Sequence, residues 1–137
     1  EASEAEKKTK IRQALAICRI FRYNKRRATQ EDCAVKKVKI TIVKKYYDTE
    51  LAEKYAIPAL GICPVHQVGE SFLSVDGRQP EGLCDFAWLP IRECVGQLAR
   101  GELIQPSGTW LRDDCKGVFA CVDGVRPVIM LVEAMED

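Results

Sequence analysis

Four side chains in this sequence could share one piece of chemistry: Cys63, His66, Cys84 and Cys121. They fall in three short fragments, Gly61-Ile-Cys63-Pro-Val-His66, Pro80-Glu-Gly-Leu-Cys84-Asp-Phe-Ala-Trp88 and Ala120-Cys121-Val-Asp-Gly124-Val-Arg-Pro127. Each fragment sets its cysteine beside turn residues rather than inside an apolar stripe. Thiolates and imidazole are the ligands that zinc or an iron centre prefers, and three sulfurs with one nitrogen complete a tetrahedral structural site. Cys63 and His66 are close enough in sequence to grip one ion from a single turn, and Cys84 stands where a helix should begin, beside exposed N–H groups that favour a thiolate. Against a metal stand the absence of any Cys-x-x-Cys pair and the long intervals between Cys63, Cys84 and Cys121. The plain alternative is that these cysteines are small, inert hydrophobes or partner-facing thiols.

The same residues allow a second chemistry. A catalytic or redox thiol needs a base within hydrogen-bond reach, and His66 is the only histidine. Cys84 or Cys121 would then be the reactive sulfur of a small thiol-dependent redox protein or enzyme. No nucleophile elbow, phosphate-binding loop, dinucleotide fingerprint or His-Glu-x-x-His motif occurs. Asp113-Asp114 reads as a solvated loop pair, Asp85 as a helix cap and Arg126 as a salt-bridge partner. Cys18 and Cys94 fall on apolar faces, Cys33 and Cys115 in polar segments, and Trp88 reads as core. With no catalytic motif present, a binding domain is favoured over an enzyme.

These residues must be positioned by regular elements. Residues 36–43 alternate, with Val38, Ile40 and Ile42 on one face and Lys37, Lys39 and Thr41 on the other, which predicts a half-buried strand. Asp48 should cap a short helix holding Leu51 and Tyr55, stopped by Pro58. A strand over about 70–75 should end at Asp76-Gly77, a strong turn signal. Pro90 starts a new helix or kinks an old one, and Ile91, Cys94, Val95 and Leu98 form its apolar face up to a Gly101 cap. Residues 102–114 read as a surface loop bearing Trp110. Residues 117–122 and 125–133 read as a β-hairpin closed by a two-residue Asp123-Gly124 turn, with Pro127 at an edge or strand start. The order β-α-β-α-β-β predicts an α+β fold: a small mixed or antiparallel sheet with two helical units, preceded by an extra N-terminal amphipathic basic helix.

Composition is that of an ordinary globular chain, 47% hydrophobic and 30% charged over 137 residues, enough for one domain with a real core. The net charge of +1 conceals an asymmetry: between Lys7 and Gln30 there are nine basic and no acidic residues, whereas from Cys33 onward twelve basic face fifteen acidic. Residues 4–28 carry Ile11, Leu15, Cys18 and Phe21 at helical spacing among those cations. This helix admits three readings: an arm for a homo-oligomer or protein partner, a nucleic-acid or other anion-binding element, or a membrane-surface helix. Assembly is the favoured one. No stretch is long and apolar enough to span a membrane. The opening residues lack the order of a secretory signal, and without an initiator Met the chain reads as a processed or trimmed product. Seven irregularly spaced cysteines point to a reducing cytoplasm rather than a disulfide scaffold. The expected division is 1–34, a basic helix and linker, and 35–137, a cysteine-containing domain.

Residues 36 to about 135 resemble a numbered family of small uncharacterised cysteine-containing prokaryotic proteins. The likeness rests on Lys36-Lys-Val-Lys-Ile-Thr-Ile42, Gly61-x-Cys-Pro64, Val68-Gly-Glu-x-Phe72, Pro80-Glu-Gly-x-Cys-Asp-x-Ala-Trp88 and Cys121-x-Asp-Gly-x-Arg-Pro-Val128. The resemblance implies a domain boundary near residue 35 and no settled activity. This chain has Phe119 where many relatives carry a second cysteine, and its Cys63-Pro-Val-His66 is one residue shorter than the Cys-x-x-Gly-His of some. The reading as a whole is an accessory or binding domain that assembles through residues 4–28, with Cys63, His66, Cys84 and Cys121 as the candidate ligands for a structural zinc or iron and inert or partner-facing thiols as the favoured role of the cysteines. Thiol-dependent redox chemistry and nucleic-acid binding are the alternatives.

Overall fold

A computed structural model of the chain describes residues 3–8, 37–102, 104, 111 and 115–135. The chain divides into two compact units, Glu1–Ala34 and Val35–Asp137. In the first, residues 4–8 are helical and open on a capping box: Glu6 N donates to Ser3 Oγ at 3.2 Å and Ser3 N donates to Glu6 Oε2 at 2.8 Å. The rest of the expected basic helix lies outside the described residues, as does nearly all of the expected Trp110 loop.

The second unit is an α+β fold built on a four-stranded antiparallel sheet of order β2-β1-β4-β3. The strands are β1 (Lys37–Lys45), β2 (Ser71–Val75), β3 (Lys116–Ala120) and β4 (Val128–Ala134), and the helices are α1 (Thr49–Tyr55), α2 (Asp85–Trp88) and α3 (Arg92–Ala99). The alternation at the start of β1 works as expected, because Val38, Ile40 and Ile42 are fully buried. Val128, Met130 and Val132 of β4 stand beside them on the same sheet face. Cys94, Val95 and Leu98 of α3, with Ile91 at its N-cap, cover that face. Each large aliphatic side chain removed from water here contributes about 1.5–3 kcal/mol.

Pro90 separates two helices rather than bending one, with α2 ending at Trp88 and α3 starting at Arg92. The end of α3 is a Schellman motif: Gly101 takes φ +76°, Gly101 N donates to the Leu98 carbonyl and Glu102 N to the Gln97 carbonyl. At α1, Asp48 Oδ1 accepts from Leu51 N at 2.9 Å, the cap the sequence calls for. Its buried residue, however, is Ala52, while Tyr55 is largely exposed.

Asp76 and Gly77 both take positive φ, 57° and 69°, and Arg78 N returns to the Val75 carbonyl at 3.2 Å. That turn packs on α3, where a Cβ added to Gly77 would lie 3.4 Å from Gly96 Cα and 3.8 Å from Ala99 Cβ. The space would admit a methyl group, but the backbone conformation disfavours one. Gly77→Ala should therefore lose about 1–2 kcal/mol in urea unfolding, with m unchanged.

The expected two-residue hairpin does not form. β3 stops at Ala120 and β4 starts at Val128, so residues 121–127 make a longer connection, and neither Asp123 nor Gly124 takes positive φ. Two local causes account for this. Asp123 Oδ1 accepts from Val125 N and Arg126 N at 2.9 and 3.1 Å, offering the backbone an alternative to the ladder. Pro127 has no N–H to extend that ladder. Phe119 faces the same side of β3 as Gly117, where an added Cβ would overlap the Phe119 ring.

Candidate functional site

One irregularity in β1 organises the corner where the cysteines lie. Residues 37, 39 and 41 point away from the core, and simple alternation would send Lys45 the same way. A bulge between Ile42 and Lys44 shifts the register against β4, so that Lys44 pairs with Ile129 and Lys45 with Val128. Because side chains alternate with a period of two, one extra residue moves Lys45 to the core side. There its ammonium donates to the carbonyls of Cys63 and His66, at 2.8 Å each.

That contact holds the 61–66 segment, and His66 carries the linkage onward. Its ring is 2% exposed, packs edge-on against Phe72 with centroids 5.1 Å apart, and accepts the Cys84 N–H on Nε2 at 3.1 Å. An imidazole that accepts on Nε2 carries its proton on Nδ1 when neutral. Nδ1 faces Glu70 Oε1 at 3.5 Å, without a hydrogen bond in range. Glu70 is itself held by Gln67 N, which donates to Oε2 at 3.0 Å. Cys84 is thus the N-cap residue of α2 through its backbone, with no side-chain capping bond.

Cys121 joins from the other side. Its N–H donates to the Val128 carbonyl at 2.9 Å, and its Sγ accepts the Val128 N–H at 3.4 Å. The neighbouring Val122 N donates to the Phe86 carbonyl in α2 at 3.2 Å. All three cysteine-bearing segments are therefore tied to the Lys45–Val128 pair. Cys63 is tied through its carbonyl, Cys84 through His66, and Cys121 through Val128. Cys63, Cys84 and Cys121 are half-buried and pack against the core.

The electrostatics centre on Asp123 and Arg126, whose Oδ2 and Nε lie 2.9 Å apart. Burial works against the Asp123 charge, but hydrogen bonds from the Arg126 side chain and from the Arg126 and Val125 N–H groups outweigh it and hold the carboxyl below its usual range. Arg126 is pushed up by the hydrogen bond to Asp123 and, to a lesser extent, by the charges that Asp123, Cys63 and Cys121 carry when ionised.

Among the described residues, no group of three or more His, Cys, Asp or Glu side chains is arranged to hold a metal ion. At His66 the Nε2 lone pair is already committed to the Cys84 N–H. The same commitment withholds that nitrogen from a thiol as a base. The salt-bridge role read for Arg126 is met by Asp123, whereas the part Lys45 plays in holding the 61–66 segment was not read from the sequence.

Elsewhere, an open cleft of about 450 Å³ lies along α1, lined by Tyr47, Ala52, Glu53 and the Ala56–Ala59 turn. Its lining contains no cysteine or histidine. Cys94 is 7% exposed, and burial pushes its thiol up to about 11. A thiol neutral in the folded state but ionising near about 8.5 when unfolded adds stability below that pH and loses it as pH rises toward 11. Urea midpoints should therefore fall between pH 8 and 10.5, and Cys94→Ala should flatten that fall.

The chain matches no protein-family model, no curated protein and no solved structure. No helix among the described residues is long and apolar enough to cross a membrane.

Proposed function

We propose that the chain is a binding or accessory domain without catalytic activity, and that its contact surface is the corner bearing Cys63, Cys84 and Cys121. One observation carries this reading: His66 is buried and spends Nε2 on a backbone N–H, which leaves the corner without an imidazole for catalysis or ligation. The rim favours contact with another molecule. Ile62, Val65, Phe86 and Val122 are 48%, 55%, 61% and 53% exposed beside the three thiols. Apolar side chains gathered at one place mark interaction surfaces more often than scattered ones do.

A zinc or iron held by Cys63, His66, Cys84 and Cys121 would require His66 to leave the Cys84 N–H, so the resting domain in this proposal is metal-free. The proposal extends to assembly through residues 4–28, whose Ile11, Leu15, Cys18 and Phe21 stripe suits a second copy or a protein partner. It also takes in a reducing cytoplasm and membership of the numbered family over residues 36–135.

Elemental analysis of protein purified without chelator, paired with thiol titration before and after chelation, tests it. The expected result is metal far below stoichiometric and the same thiol count in both titrations. About one zinc or iron per chain, shielding three thiols until chelation, would replace this reading with a structural metal site.

A further inference from the structure

The sheet has two faces, and only one of them is covered among the described residues. Toward the core, Val38, Ile40, Ile42, Val128, Met130 and Val132 are buried under α3. On the opposite face every described side chain is exposed or half-buried. The register sets these side chains in rows across the strands. One row reads Leu73, Lys39, Glu133, Lys116, and the next Ser71, Thr41, Leu131, Val118. The third, past the bulge, reads Lys44, Ile129, Ala120. An apolar centre of Leu131, Val118 and Ile129 thus lies between Lys39 and Lys116 on one side and Lys44 on the other. Val118 is 51% exposed, and Leu73 at the β2 edge is 44% exposed. The charge is one-sided. Glu133 is the only acid in these rows, and Lys116 already meets it at 3.6 Å. Lys39 and Lys44 form no ion pair with a described residue.

We propose that this open face is a docking surface for a protein partner that presents an acidic amphipathic helix. A helix laid on it would cover the sheet as α3 does on the buried face, its apolar stripe meeting Leu131, Val118 and Ile129. Carboxylates flanking that stripe would meet Lys39 and Lys44, which have no acid of their own. Opposite charge steers such a partner in and turns basic ones away. The chain's own residues 7–30, with nine basic and no acidic side chains, have the wrong sign for this face. A single-stranded nucleic acid would find cations here but no stacking platform, because none of the three rows carries an aromatic ring. The inference is independent of the cysteine corner, whose thiols pack against the core on the other side of the sheet.

The test titrates the full isotope-labelled chain with a synthetic helical peptide of about 20 residues, long enough to hold its helix. Leucines at helical spacing form one side of the peptide and glutamates the other, and a matched peptide carries lysine in place of glutamate. Amide shifts are expected around Lys39, Thr41, Val118, Ile129 and Leu131, with the lysine peptide inert. Lys39→Glu combined with Lys44→Glu should weaken binding about tenfold, and more at low salt. Val118→Ser, at an exposed strand position, should weaken it about fivefold at any salt concentration. Shifts confined to residues 7–30 or to the cysteine corner, equal binding of the lysine peptide, or an affinity untouched by Val118→Ser would overturn the proposal. So would tighter binding of a uridine oligonucleotide or of phosphatidylserine vesicles that the double lysine variant abolishes, since the face would then belong to a nucleic acid or a lipid. An unchanged urea midpoint shows that a variant has kept its fold, and the shift map of the unaltered chain decides the case where one has not.

Discussion

Lys45→Met should cost the second unit about 2–4 kcal/mol and release the 61–66 segment while leaving the sheet intact. The substitution keeps the aliphatic stem and removes two charge-assisted hydrogen bonds, to the carbonyls of Cys63 and His66. Hydrogen bonds to a charged group contribute about 1.5–3 kcal/mol each, and partial exposure of Lys45 places the sum toward the lower end. A urea midpoint lowered at constant m, with faster amide exchange at 62–67 and unchanged exchange in β1 and β4, is the expected pattern. An unaltered midpoint would mean that water satisfies those carbonyls equally well and that Lys45 is not the fastener.

A loss of about 3 kcal/mol is expected for His66→Ala. Removing the ring leaves a void beside Phe72 and strips the Cys84 N–H of its acceptor, so a packing loss and an unpaired donor act together. Two further substitutions separate these contributions. His66→Phe restores volume without an acceptor, and His66→Gln offers a side-chain oxygen within reach of the same N–H. If the acceptor matters, Gln should recover more stability than Phe. If Phe recovers more, the imidazole serves mainly as filler and the tie to Cys84 is incidental. Alkylation of Cys84 should speed up in the Ala variant, because α2 would then lose one of its fixings.

Much of this arrangement was legible from local pattern. The inward trio of β1, the apolar face of α3, the Asp48 cap and the Gly101 terminus each follow from chemistry within a few residues of the chain. The Asp-Gly dipeptide shows where such reasoning ends. At 76–77 both residues adopt the left-handed conformation and the chain turns tightly, whereas at 123–124 neither does. What differs is context: the Asp123 side chain is drawn to two N–H groups ahead of it, and Pro127 interrupts the ladder that a tight turn would have closed. The candidate site was legible only as a set of segments. Cys63, His66, Cys84 and Cys121 stood out by residue type and by their turn neighbours. The role of His66 was not readable, because it depends on a backbone N–H eighteen positions away. Lys45 was hidden for a different reason, since a bulge leaves no compositional mark and Val43-Lys44-Lys45 continues a strand as plausibly with one as without.

The bulge makes length, rather than residue identity, the parameter on which the corner depends. Deleting Val43 would restore strict alternation, swing the Lys45 ammonium to the opposite sheet surface and leave two carbonyls without their cation, although every chemically notable residue would still be present. Comparisons of this chain with others should therefore weigh the residue count between Ile42 and Lys45 as heavily as the cysteines themselves. A sequence with all the thiols and one residue fewer there would share the parts of this corner without its wiring.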